Sequence, residues 1–162
     1  MKLDKALPAL VKANVDNYRG AISLYLKQTE DNALVFIIGE AGAGKSYLAK
    51  LELPNALYPT PQQFSECDHI STMFTGFDVV IDDIFRFDSD KVIECIQAVH
   101  ASGHRVMVTG QPVDIELCTG LLSRLPVGYR TMFSRLMGHS DMQEMKGTDN
   151  SIEPLKTSPV LH

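Results

Sequence analysis

The chain has 162 residues, 44% of them hydrophobic, which suits one domain with a sizeable core and leaves two full domains cramped. Fifteen basic residues against twenty acidic ones give a formal charge of −5, which argues against strong charge-driven binding of duplex DNA by the chain alone. No apolar run approaches membrane-spanning length and no apolar core follows a basic N-terminal start, so no membrane partner and a cytoplasmic location are expected. Cys67, Cys95 and Cys118 are odd in number and widely spaced, as free thiols in a reduced compartment would be. His100 and His104 share helical spacing, but Gly103 interrupts it, so no metal site is expected there.

In chain order, the apolar spacing predicts a helix from about Val15 to Gln28, with Asn14, Asp16, Asn17 and Arg19 interleaved as polar positions. Asp31-Asn32 reads as the turn into a first strand, Leu34–Ile38, which is apolar throughout like a strand buried on both faces. A helix is expected from Ser46 until Pro54 stops it. Residues 53–63 hold three prolines and allow at most a short edge strand around Ala56–Tyr58. Phe77–Asp83 reads as a second buried strand ending in two acids. Ser89 is the expected N-cap of a helix bearing Val92, Ile93, Ile96 and Val99 and closed by Gly103. Arg105–Thr109 is a third strand. Pro112–Leu125 reads as a helix burying Leu117, Leu121, Leu122 and Leu125, and Tyr129–Leu136 as a last strand. Beyond Gly138, glycine, serine, proline and charge dominate, so residues 1–137 are expected to form the domain and 138–162 a mobile or partner-dependent tail. Strands alternating with helices specify an α/β fold, a parallel sheet with helices on both faces. Ligands in such folds sit beyond the carboxyl ends of the strands, where Gly39, Asp82 and Thr109 all fall.

Residues Gly39, Glu40, Ala41, Gly42, Ala43, Gly44, Lys45 and Ser46 form a complete G-x-x-x-x-G-K-[ST] phosphate-binding loop, followed by Tyr47 in the same stretch. The glycines let successive backbone N–H groups turn inward toward an anion, Lys45 adds charge near the β- and γ-phosphates, and Ser46 can ligate magnesium. ATP and Mg²⁺ are therefore the expected cofactors. Asp82, ending an apolar strand, can place a carboxylate beside that magnesium, and Asp83 can orient the attacking water. Thr109 and Gln111, after the third strand, are both candidates to contact the γ-phosphate or the water. Arg124, at the end of a helix, is a candidate arginine finger for a neighbouring subunit.

The loop, the Val79–Ile84 stretch, Thr109-Gly110-Gln111-Pro112 and Leu122-Ser123-Arg124-Leu125 together resemble the AAA+ ATPases of bacterial replication. The resemblance covers about residues 14–145. It is nearest to the clade of the initiator DnaA, its regulator Hda and the helicase loader DnaC. It implies a P-loop NTPase of AAA+ base-domain type, with Lys45 and Ser46 as Walker A, and Asp82 and Asp83 as Walker B. Thr109 to Gln111 would be sensor I, Arg124 the arginine finger, and Asn17 and Tyr18 neighbours of the adenine. Many such ATPases carry glutamate where Asp83 stands, so a slow turnover is expected. Neither a full C-terminal lid nor a duplex-binding domain is expected, which points to a small helicase loader of phage or mobile-element type. The implied partners are a DnaB-type replicative helicase, further copies of the chain through the nucleotide site, and single-stranded DNA. An Hda-like regulator is the alternative. A small-molecule P-loop kinase fits less well, because residues 53–63 offer no arginine for its lid.

Overall fold

A computed structural model describes residues 6–29, 33–126, 129–141 and 143 of the chain. The expected turn at Asp31-Asn32 and the tail beyond residue 143 lie outside the described residues. Helix α1 (Ala6–Thr29) leads into strand β1 (Leu34–Ile38), helix α2 (Lys45–Glu52) and two short helices, α3 (Pro61–Glu66) and α4 (Ile70–Met73). Strand β2 (Val79–Ile81), a 3₁₀ turn (Ile84–Arg86), helix α5 (Ser89–Ala101) and strand β3 (Val106–Gly110) follow. A second 3₁₀ turn (Pro112–Asp114), helix α6 (Ile115–Arg124) and strand β4 (Thr131–Arg135) complete the order.

The four strands form one parallel sheet in the order β2-β3-β1-β4. Leu34 pairs with Val106 on one side and Thr131 on the other, and Ile38 with Gly110 and Arg135, so all four carboxyl ends reach one rim. Strand alternation divides the core in two. Leu34, Phe36 and Ile38 pack with residues of α3 to α6, whereas Val35 and Ile37 pack with α1 and α2. Both sheet faces are covered, which is why these strands are apolar without alternation.

Several boundaries differ from those expected. Helix α1 begins at Ala6, not near Val15, because Pro8 stands in its first turn, where a missing N–H costs nothing. Its buried stripe runs Leu10, Asn14, Tyr18, Ile22 and Leu26, so Asn14 belongs to the packed face and not the polar one. Asp88, not Ser89, caps α5: its carboxylate accepts from Asp90 N at 2.9 Å and Lys91 N at 3.3 Å. The predicted helix from Pro112 splits into the 3₁₀ turn and α6, because the buried Asp114 carboxylate accepts from Gln111 N at 2.8 Å. The proline-rich stretch supplies one isolated bridge, Leu57 to Val79. It then gives α3, opened by a reciprocal Thr60–Gln63 capping box whose spacing is visible in the chain.

His100 is buried at the end of α5, with Nε2 2.8 Å from Ala33 O and its ring 5.0 Å from that of Tyr129. Burial holds its pKa below the ordinary 6.5, because the charged form is poorly solvated there. The unfolded chain therefore takes up this proton first. The resulting stability is full above about pH 6.5 and falls as the pH drops toward the folded pKa, by at most about 1.4 kcal/mol per pH unit. Urea titrations between pH 7.5 and 5 check this, and His100→Gln should flatten that limb of the profile.

Candidate functional site

Strand β1 is central, and the loop that leaves its carboxyl end is held from three sides. Gly39 N donates to Gly110 O at 3.0 Å, and Ala43 N to Glu40 O at 3.1 Å. Gly42 and Gly44 take φ values of 81° and 101°, a region that L side chains rarely adopt. A Cβ on Gly44 would also lie 3.2 Å from Val11 Cγ1 of α1. Gly44 then caps α2 with no side-chain acceptor, so the helix presents its first N–H groups and the positive end of its dipole at the loop. This is anion-binding geometry.

Lys45 Nζ donates to Gly39 O and, at 3.2 Å, to Glu40 O. Burial lowers its pKa, against the opposing pull of Asp82, Asp83, Asp114 and Glu40. Ser46 Oγ donates to both carboxylate oxygens of Asp82 at 3.0 Å. Thr109, fully buried, donates to Asp82 Oδ1 at 2.6 Å and accepts from Asp83 N at 2.8 Å. Its hydroxyl thus holds the Asp82 carboxylate and the Asp83 backbone together. Asp83 takes a φ of 71°, a left-handed conformation that concentrates at functional sites. Gln111, by contrast, is exposed at the cavity.

The cavity has a volume of about 740 Å³, within the usual range for small-molecule sites. Its floor is Ala41, Gly42, Gly44, Lys45 and Ser46; Asp82, Asp83, Thr109 and Gln111 form the acid side. The remaining wall is one face of α1, Pro8, Val11, Lys12 and Val15, completed by Tyr47. Gly39 and Ala43 are buried behind the loop, and Glu40 turns away toward Ser140.

Two of the expected positions, Asn17 and Tyr18, lie outside the cavity. Tyr18 is buried and its hydroxyl donates to Arg135 O, while Asn17 is exposed on α1; neither lines the cavity, whose apolar wall comes from residues one to three turns earlier. Arg124, expected to serve a neighbouring copy's site, stands exposed at the end of α6, paired with Asp90. Asn14, Asp114 and Tyr58 were not singled out from the sequence. Asn14 was the readable one, since it falls four residues from both Leu10 and Tyr18.

Magnesium fits this donor set. Ser46 and Asp82 offer hard oxygen atoms, and no group of three potential metal-ligating side chains exists among the described residues. An ion held by one carboxylate and one hydroxyl, completed by phosphates and water, is the usual magnesium arrangement. The Tyr58 hydroxyl is buried without a hydrogen-bond partner. Its ring packs on the α2 side of the sheet beneath Lys50, and burial together with the Asp82 charge pushes its pKa up to about 12.

The parallel sheet, the phosphate loop after its central strand and the acids at the end of β2 make this a P-loop NTPase fold. In backbone the chain is similar to C. elegans PCH-2, with a TM-score of 0.43 and 14% identity over 86% of this chain and 49% of that one. It spans about half the length of that protein's chain. No family model matches the chain, and no curated protein matches it in sequence. Among the described residues, no helix is long and apolar enough to cross a membrane.

Proposed function

We propose that the chain is an ATP-binding AAA+ protein of DNA replication that loads or remodels the replicative helicase, hydrolysing ATP slowly. The observation that carries the ATPase reading is the hydrogen-bonded series Ser46–Asp82–Thr109–Asp83 beneath a phosphate loop. The replication reading rests on the resemblance in motif order. The loop amides and Lys45 bind the phosphates, and the apolar wall of α1 takes the nucleoside. Magnesium held by Ser46 and Asp82 would neutralise charge developing on the phosphates. Thr109 anchors the Asp83 backbone, the Asp83 carboxylate positions the attacking water, and Gln111 is the exposed polar group at the cavity that meets the γ-phosphate. Asp83 is one methylene shorter than glutamate, which suits a slow switch.

No arginine lines the cavity among the described residues. Arg124 is about half exposed, and its pairing with the still more exposed Asp90 is of a kind that contributes little. It is available to exchange that partner for the nucleotide of a neighbouring copy, which makes self-association part of the cycle.

Capture of a purified DnaB-type helicase by the tagged chain, with and without ATP, tests the proposal. Nucleotide-dependent capture supports loading. Capture of DnaA or of the sliding clamp instead would favour the Hda-like regulator, and phosphate transfer to a small alcohol would establish a kinase. Rapid multiple turnover by the isolated chain would contradict the switch.

A further inference from the structure

Asn14 is buried in the middle of α1, and its side-chain amide joins three segments far apart in the sequence. Nδ2 donates to Ala43 O of the phosphate loop at 2.7 Å and to Met137 O, just past β4, at 2.9 Å. Oδ1 accepts from Met137 N at 3.1 Å. Both donor hydrogens and one acceptor position are therefore used, and a buried amide so satisfied is costly to disturb.

A second link runs parallel to the first. Glu40, also in the loop, turns its carboxylate away from the cavity and accepts from Ser140 N at 3.2 Å. Contacts with Ser140 hold the Glu40 carboxyl below its ordinary pKa. Gly138 is shaped to this contact: a Cβ there would fall 2.5 Å from Glu40 Oε2 and 2.7 Å from Cδ. The segment also closes on itself, with Gly138 N donating to Asp141 Oδ2 at 2.9 Å. Two of the loop's residues are thus bonded, through Asn14 or directly, to residues 137–140.

The same loop must hold its amides inward to bind phosphate. The bonds to Ala43 O and from Ser140 N to Glu40 are therefore the two contacts through which the loop and the chain leaving β4 are coupled.

We propose that Asn14 and Glu40 are positioning residues that fasten the phosphate loop to the segment after β4, so that nucleotide occupancy is read out at residues 137–141. The proposal rests on the assignment of the loop as the nucleotide site. Asn14 acts on the nucleotide only through Ala43, and Glu40 carries the signal outward on the side of the loop facing away from the cavity.

Hydrogen–deuterium exchange on the full chain, with and without Mg–ATP, is the test, run beside calorimetric titration of the same nucleotide. Wild-type protein should bind, and amides in peptides covering residues 137–141 should exchange several-fold more slowly when it does. Asn14→Asp keeps the size but replaces two donors with acceptors. It should weaken nucleotide binding roughly tenfold, the loss expected for buried hydrogen bonds, and abolish the exchange difference. Glu40→Ala, at a partly exposed position that the fold tolerates, should abolish the difference at Ser140 even where saturating nucleotide restores binding. A purely structural role would lower stability and leave the nucleotide-dependent difference in place. Binding by wild type with no change at residues 137–141, or an unchanged difference in Glu40→Ala, overturns the proposal. Absence of binding by wild type overturns the nucleotide site itself and the proposal with it.

Discussion

Replacing Lys45 by alanine should weaken Mg–ATP binding by roughly 10- to 150-fold, the range for losing a hydrogen bond to a charged group. The ammonium sits within the curl of the loop, bonded to Gly39 O and Glu40 O, with helix α2 starting at its own backbone. No other side chain of the loop carries positive charge, and the other lysine at the cavity, Lys12, is paired with Asp16 at 2.7 Å. Stability should change little, because burial already disfavours this charge. Calorimetric titration with ATP, beside a thermal melt of the apo protein, separates the two effects. Unaltered affinity in a well-folded variant would remove the loop from the mechanism.

Asp82→Asn should act differently. The carboxylate receives Ser46 Oγ and Thr109 Oγ1 together, and an amide of the same size keeps one acceptor while losing the charge. Nucleotide should still bind through the loop, but the gain in affinity on adding magnesium should disappear. Turnover should fall by about 100-fold or more, since a bound metal supplies several kcal/mol of charge stabilisation. Affinity measured with EDTA and with MgCl₂, followed by phosphate release, checks both parts. A variant that kept its magnesium response would place the cation elsewhere.

How much of this was readable from the residues depended on how local the cause was. The phosphate loop, the buried strands and the acids at the end of β2 are local patterns, and each lies within its predicted stretch or one residue of it, with β2 reduced to Val79–Ile81 and β4 to Thr131–Arg135. The start of α1 was not readable in the same way, because Pro8 looks like a breaker unless it is known to occupy a first turn. Asn14 has a meaning only once Ala43 and Met137 are brought beside it, and they lie 29 and 123 residues away. The choice between Thr109 and Gln111 likewise needed burial. Thr109 is sealed against the two acids, while Gln111 opens to the cavity, and the short Thr-Gly-Gln segment permits either arrangement. The α1 wall of the cavity lies one to three turns before Tyr18, mostly in the 6–14 stretch that the apolar spacing leaves outside the helix.

The backbone at position 83 restricts what evolution can try there. With φ at 71° and its N–H tied to Thr109, the site admits glycine freely and aspartate or asparagine at modest expense, whereas a longer or branched side chain is disfavoured. Lengthening this carboxylate to glutamate works against the local conformation, so a longer acid at this position would first require the turn itself to be rebuilt.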